Sequence, residues 1–117
     1  MSPWRTHARW GAIAWGVVAV FEAIVVYLTA FLPPERPSVV FAVSAVLSLL
    51  AAVLLARVPS AGVLLAATVW AGLNLAVGLW AMPPDAARPV ISVVFGLLLA
   101  AAGLESYRAW RGRRDQA

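Results

Sequence analysis

Residues 10–37 read WGAIAWGVVAVFEAIVVYLTAFLPPERP, a long apolar run that holds one acid, Glu22, and closes on a charged, proline-rich break. At about 1.5 Å of rise per residue, roughly 20 apolar residues in a helix cross the ~30 Å hydrocarbon core of a bilayer. The run 10–32 therefore reads as a transmembrane span. Arg5, His7 and Arg9 precede it as in a signal peptide. Its apolar stretch exceeds the roughly 7 to 15 residues of a signal-peptide core, however, and no small-x-small cleavage site follows, so an uncleaved anchor is expected.

Outward from this stretch the pattern repeats. Further runs cover 38–56, 60–82 and 90–104, and a helix continuing through Glu105 lengthens the last to a span of 89–110. Glu105 and Arg108, three apart, can pair on one helix face while Tyr107 and Trp110 sit among lipid headgroups. Pro33, Pro34, Pro37, Pro59, Pro83, Pro84 and Pro89 all fall near the breaks, where a missing backbone donor does least harm. Spans joined by so few residues must be antiparallel neighbours. The expected fold is an all-α membrane protein, a four-helix transmembrane bundle made of two antiparallel hairpins. It forms a single domain over 1–117, with short basic tails at 1–9 and 111–117.

Composition agrees. The chain of 117 residues is 63% hydrophobic and 12% charged, against roughly 45 to 50% apolar content in soluble domains. A net charge of +4 is compatible with nucleic-acid binding, but all nine basic residues are arginines lying between or beyond the apolar runs, a topology signal rather than a binding stripe. Arg5, Arg9, Arg57, Arg108, Arg111, Arg113 and Arg114 fall on one side and Arg36 and Arg88 on the other. That bias predicts a multi-pass protein of the cell (inner) membrane with both termini cytoplasmic. Cysteine is absent, which excludes disulfides and thiolate chemistry.

The break Pro33-Pro34-Glu35-Arg36-Pro37 recurs as Pro83-Pro84-Asp85-Ala86-Ala87-Arg88-Pro89. Aligning Arg36 with Arg88 sets Ser44 over Gly96, Ser48 over Ala100 and Ala51 over Gly103. Two accounts fit: an internal duplication of one hairpin, giving parallel repeats, or the same turn chemistry arising twice between low-complexity apolar runs. In lipid, helices associate through close approach at small residues. Ser44, Ser48 and Ala51 on the second span, Gly78 on the third, and Gly96, Ala100 and Gly103 on the fourth are the expected packing positions. They suit internal packing of one bundle more simply than a dimer interface.

Glu22 lies thirteen residues from both Arg9 and Glu35, which puts it near the bilayer midplane. A central acid is tolerated only if neutralised, hydrated or paired. Gly11, Trp15, Ala19, Glu22 and Thr29 share a helical stripe expected to face the bundle interior. Asn74 lies nine residues before Pro83, as Glu22 lies eleven before Pro33, so their depths differ by only about 3 Å and a Glu22 to Asn74 hydrogen bond is expected. Trp70, one turn from Asn74 and too central for an interfacial belt, joins the same face, as does Trp15. Two readings stand: a proton-titrating carboxyl in an aromatic-lined site, or a neutral acid bonded to Asn74 as interhelical glue. His7 is expected to be solvated at the headgroups, and the closing arginines to anchor on anionic lipid.

Four short spans, a carboxylate midway through the first (Glu22) and a tryptophan in the third (Trp70) resemble the layout of the small multidrug resistance transporters. That likeness implies a carrier in which Glu22 couples protons to organic cations. The chain departs from the family in its strong arginine bias, since antiparallel dimers need weak bias or paired, oppositely inserted subunits. It also lacks a tyrosine in the second span.

An enzyme is disfavoured: one histidine, no cysteine and no clustered carboxylates leave no catalytic residues, metal site or cofactor to name. What remains is an accessory or scaffolding membrane subunit, with a proton-coupled small-molecule transporter as the alternative. The expected partners are the lipid bilayer and either a second copy or another membrane protein.

Overall fold

A computed structural model describes residues 3–29, 36–81 and 88–115, all but a short link of them in four helices. These are α1 (Pro3–Thr29), α2 (Arg36–Arg57), α3 (Ala61–Ala81) and α4 (Arg88–Asp115). Each is long and apolar enough to cross a membrane. Pro3, Pro37 and Pro89 each occupy the first or second position of a helix, where the backbone N–H has no intrahelical acceptor to lose. The breaks at 30–35 and 82–87, which hold the repeated Pro-Pro-acid motif, lie outside the described residues.

The link from α2 to α3 is built from local bonds. Val58 N–H donates to Leu54 O (2.7 Å) and Leu64 N–H to Ser60 O (3.0 Å). Ser60 Oγ accepts from Val63 N–H at 3.2 Å, an N-cap that satisfies one of the orphan amides of α3. At the far end of α3, Arg88 Nη2 donates to Leu79 O at 3.1 Å, so the first residue of α4 closes the last turn of α3.

α1 packs along α2 and α4, and α3 packs along α4 and, more loosely, α2. Neighbouring helices run antiparallel: Glu22 meets Ser48, His7 meets Glu105, and Gly11 meets both Leu55 and Ser106. The core holds Trp15, Phe41, Leu64, Phe95 and Leu99 together with a few polar groups, and the outer surface is apolar as well. Glu22, Ser44, Ser48, Asn74 and Ser106 are buried, while Val20, Leu28, Val46, Leu49, Leu73, Val93 and Leu97 point outward. Large apolar side chains spread over the outer surface are stable only where the surroundings are apolar too, so the four helices form a multi-pass membrane protein.

The described residues of the basic ends are helical. Residues 3–9 and 111–115 continue α1 and α4 as helix, and 27 and 28 residues make helices about 40 Å long, some 10 Å more than a hydrocarbon core. The two overhangs stabilise each other. Trp4 is only 6% exposed, because its Cβ lies where a Cβ on Gly112 would come within 2.9 Å. The guanidinium groups of Arg5 and Arg113 stack on its ring at 5.0 and 4.9 Å. Trp4 is thus a packing residue between two helices, while Trp10 remains 58% exposed. His7 is not a lone solvated histidine either. Its Nδ1 lies 2.6 Å from Glu105 Oε2, and Glu105 Oε1 accepts from Arg108 Nη1 at 3.3 Å.

The glycines divide by what faces them. A Cβ at Gly103 would approach that of Ala71 to 2.8 Å, and one at Gly78 would strike the ring of Phe95. Gly16, Gly62, Gly72 and Gly96 face open space. Overpacking destabilises by typically 1–3 kcal/mol, so Gly78→Leu should lower bundle stability by about that much. Gly72→Leu should leave it within about 0.5 kcal/mol of the parent. Thermal unfolding in detergent measures both, and equal losses would contradict the packing described here.

Candidate functional site

The polar centre of the bundle gathers one side chain from each of three helices. Glu22 comes from the middle of α1, Ser48 from α2 and Asn74 from α3, and none of the three is exposed. Ser48 Oγ donates to Glu22 Oε1 at 2.7 Å. Asn74 Nδ2 donates to the same oxygen at 3.2 Å and to Ser48 Oγ at 3.2 Å. Trp70 Nε1, one turn before Asn74 on α3, donates to Ser48 Oγ at 3.3 Å. Ser48 is the hub: its one proton and both lone pairs are committed.

The network is polarised. Indole N–H, amide N–H and hydroxyl O–H all run toward Glu22 Oε1, and each bond strengthens the next in a medium of low dielectric. Two buried atoms stay outside it, Glu22 Oε2 and Asn74 Oδ1, with no hydrogen-bond partner among the described residues. A proton carried at Oε2 would therefore leave the bonds that hold Oε1 in place.

Layers of large side chains close the site on both sides. Toward the arginine-rich end Trp15, fully buried, donates from Nε1 to Ser106 Oγ at 3.1 Å, and Ser106 Oγ donates to Ala102 O at 2.8 Å. Trp15 thus ties α1 to α4, two helical turns from Glu22, and makes no hydrogen bond within the carboxyl cluster. On the other side Phe21 stacks on Phe95 with centroids 5.7 Å apart, and Phe41 meets Phe95 edge-on at 5.8 Å. Phe95 is the side chain that Gly78 makes room for. Laterally the seam between α2 and α3 is the loosest. An outward-facing groove of about 340 Å³ runs along it, lined by Leu47, Ala51, Leu54, Val63 and Trp70 among others. Trp70 is the wall between that groove and Ser48.

Of the small residues expected at helix contacts, Ser44, Ser48 and Gly78 are buried and Gly103 meets Ala71, but Ala51 is half-buried on the groove. Gly96 is half-buried with open space before it, and Ala100 is exposed. Both line a shallow outer depression between α3 and α4 of about 310 Å³, together with Thr68, Gly72 and Gly103. Positions paired by aligning Arg36 with Arg88 therefore differ in surroundings: Ser48 is the buried hub and Ala100 faces outward.

Two participants are not picked out as polar partners by sequence reading. Ser48 falls in the middle of its span, so the depth argument applied to Asn74 finds it equally well. Ser106 lies beyond the apolar run of α4, and only the continuation of that helix past Glu105 brings it under Trp15. Among the described residues no group of three His, Cys, Asp or Glu side chains could hold a metal ion. No protein-family description, curated protein or solved structure matches the chain.

Interhelical hydrogen bonds in membrane proteins average about 0.6 kcal/mol and reach about 1.7. Ser48→Ala breaks three such bonds and should destabilise the bundle by about 1 to 2 kcal/mol, clearly more than Ser44→Ala at a comparably buried position. Unfolding of the two variants side by side in the same detergent checks this. A Ser48→Ala variant no weaker than Ser44→Ala would remove the hub role.

Proposed function

We propose that the chain is a non-enzymatic accessory or scaffolding subunit of the cell (inner) membrane, with both termini cytoplasmic, that presents a fixed helical face to another membrane protein. The observation that carries this reading is the sorting of its small residues. Gly78, Gly103 and Gly112 are filled from within the bundle, whereas Gly72 and Gly96 open outward beside Thr68 and Ala100. In lipid a helix gains little from exposed Leu or Val and associates where its backbone can be approached closely, so this depression is the face that suits a partner helix. Glu22, Ser48 and Asn74 then serve as the lock that keeps α1, α2 and α3 in register behind it. Within this reading the two helix pairs are hairpins of related geometry, the second supplying the docking face.

Replacing Gly72 and Gly96 together by Leu should leave the melting temperature of the isolated protein unchanged and break up the native complex seen by cross-linking in intact membranes. Survival of that complex would sink the docking face. Orientation is tested separately: the chain lacks cysteine, so Ser2→Cys and Gln116→Cys should both be shielded from an impermeant thiol reagent added outside the cell.

A second reading, a proton-coupled carrier of small organic cations, is favoured by the unbonded Glu22 Oε2 and Asn74 Oδ1 and by the groove that stops at Trp70. Here Glu22 exchanges its proton for a cation admitted sideways past the indole. Glu22→Gln separates the two. It should be silent for a scaffold, since the amide still accepts from Ser48 and Asn74. It should abolish transport for a carrier, and purified protein should then release protons on mixing with its cation.

A further inference from the structure

The arginine-rich end carries a cleft that neither reading uses. It holds about 390 Å³ between the start of α1 and the end of α2, and it is lined by Arg5, Arg9, Ile13, Leu55, Ala56 and Pro59 among others. We propose that this cleft binds an anionic phospholipid, with the phosphate held by Arg5 and Arg9 and an acyl chain lying over Ile13 and Leu55.

Sequence spacing builds the cationic half. Arg5 and Arg9 are four apart, one turn on the same face of α1, and Ile13 continues that face by another turn. The face thus changes from cationic to apolar over about 12 Å of helix, at the depth where α1 leaves the hydrocarbon core. A phospholipid has the same sequence of properties along its length. The contact of Arg5 with the Trp4 ring leaves its charge without an anionic partner. Neither arginine has an acidic partner among the described residues, and both are exposed.

The acid packed against α1 at this end is turned away. Glu105 belongs to the cleft on the other flank of α1, with His7 and Trp10, and is already bonded to His7 and Arg108. The two flanks of one helix therefore differ in charge, and only one is free to take an anion. Guanidinium groups make paired, charge-assisted hydrogen bonds to phosphate oxygens, and basic clefts between helices on the cytoplasmic side of a membrane suit anionic headgroups. A free phosphate would satisfy the arginines but leave the apolar wall at Ile13 and Leu55 uncovered, so the lipid is the better fit.

The test uses the full chain in phosphatidylcholine nanodiscs with and without phosphatidylglycerol, and native mass spectrometry to count retained lipid. Phosphatidylglycerol should be retained over phosphatidylcholine by roughly tenfold or more, the order expected for two arginines at a membrane surface. Arg5→Gln with Arg9→Gln should abolish that preference, while the equal charge loss of Arg111→Gln with Arg114→Gln, which removes only the diffuse attraction of the closing arginines, should lower it in part and leave it measurable. Equal loss in both double variants would reduce the effect to diffuse attraction and overturn the site. Displacement of the lipid by inorganic phosphate alone would show an anion site without an acyl chain and would overturn the lipid assignment. Should the Arg5, Arg9 variant fail to fold, wild-type protein and a phosphatidylglycerol with a photoreactive acyl chain decide the matter. Adducts on residues 8–13 and 55–56 support the cleft, and adducts spread evenly around the bundle refute it.

Discussion

A carboxyl group at the centre of a bilayer has no water to bond, and every other feature of this bundle is arranged around that fact. Glu22 can stay in α1 only if other helices bring hydrogen-bond donors to it. Ser48 and Asn74 do so from α2 and α3, and Trp70 supports Ser48 in turn. The relative position of three helices is thereby set at one point to within hydrogen-bond tolerance, something dispersion among Leu and Val side chains in lipid does poorly because sliding by one residue changes little.

The remaining contacts follow from this pinning. With α1 held to α2 and α3 at mid-depth, α4 fills the fourth corner. It is fixed at one level by Phe95 against Gly78 and at another by Ser106 under Trp15. Close approach at Gly103 and Ala71 draws α3 onto α4, while the bulkier Leu47, Leu54 and Trp70 hold α2 and α3 apart and leave the lateral groove. At the arginine-rich end a second polar group, His7 with Glu105 and Arg108, does for the protruding turns what Glu22 does for the centre.

Much of this was legible in the residues themselves. Four apolar runs divided by prolines announce four helices, and the depth count that relates Glu22 to Asn74 needs only the rise per residue. That helix continues into the basic ends is not visible in the apolar pattern, for a physical reason. Apolar periodicity falls off at Arg9 and Arg111 because charged residues belong outside the hydrocarbon, yet helical structure does not stop there. Trp4 and Gly112 keep the chain coiled by packing on each other, and residues 108 apart in sequence give no local sign of it.

Composition, span length and proline placement thus determined by themselves that the chain consists of membrane-crossing helices with an acid at mid-depth, because the free energy of placing each residue in lipid depends on that residue and its depth alone. Which side of a helix meets which neighbour was decided only by the tertiary structure. Ser48 and Ala100 look alike in their spans, as do Gly78 and Gly72, and one of each pair is buried while the other faces out. Burial of a small residue depends on what the opposite helix presents, a Phe95 ring or an Asn74 amide, and that pairing exists only once the helices have met.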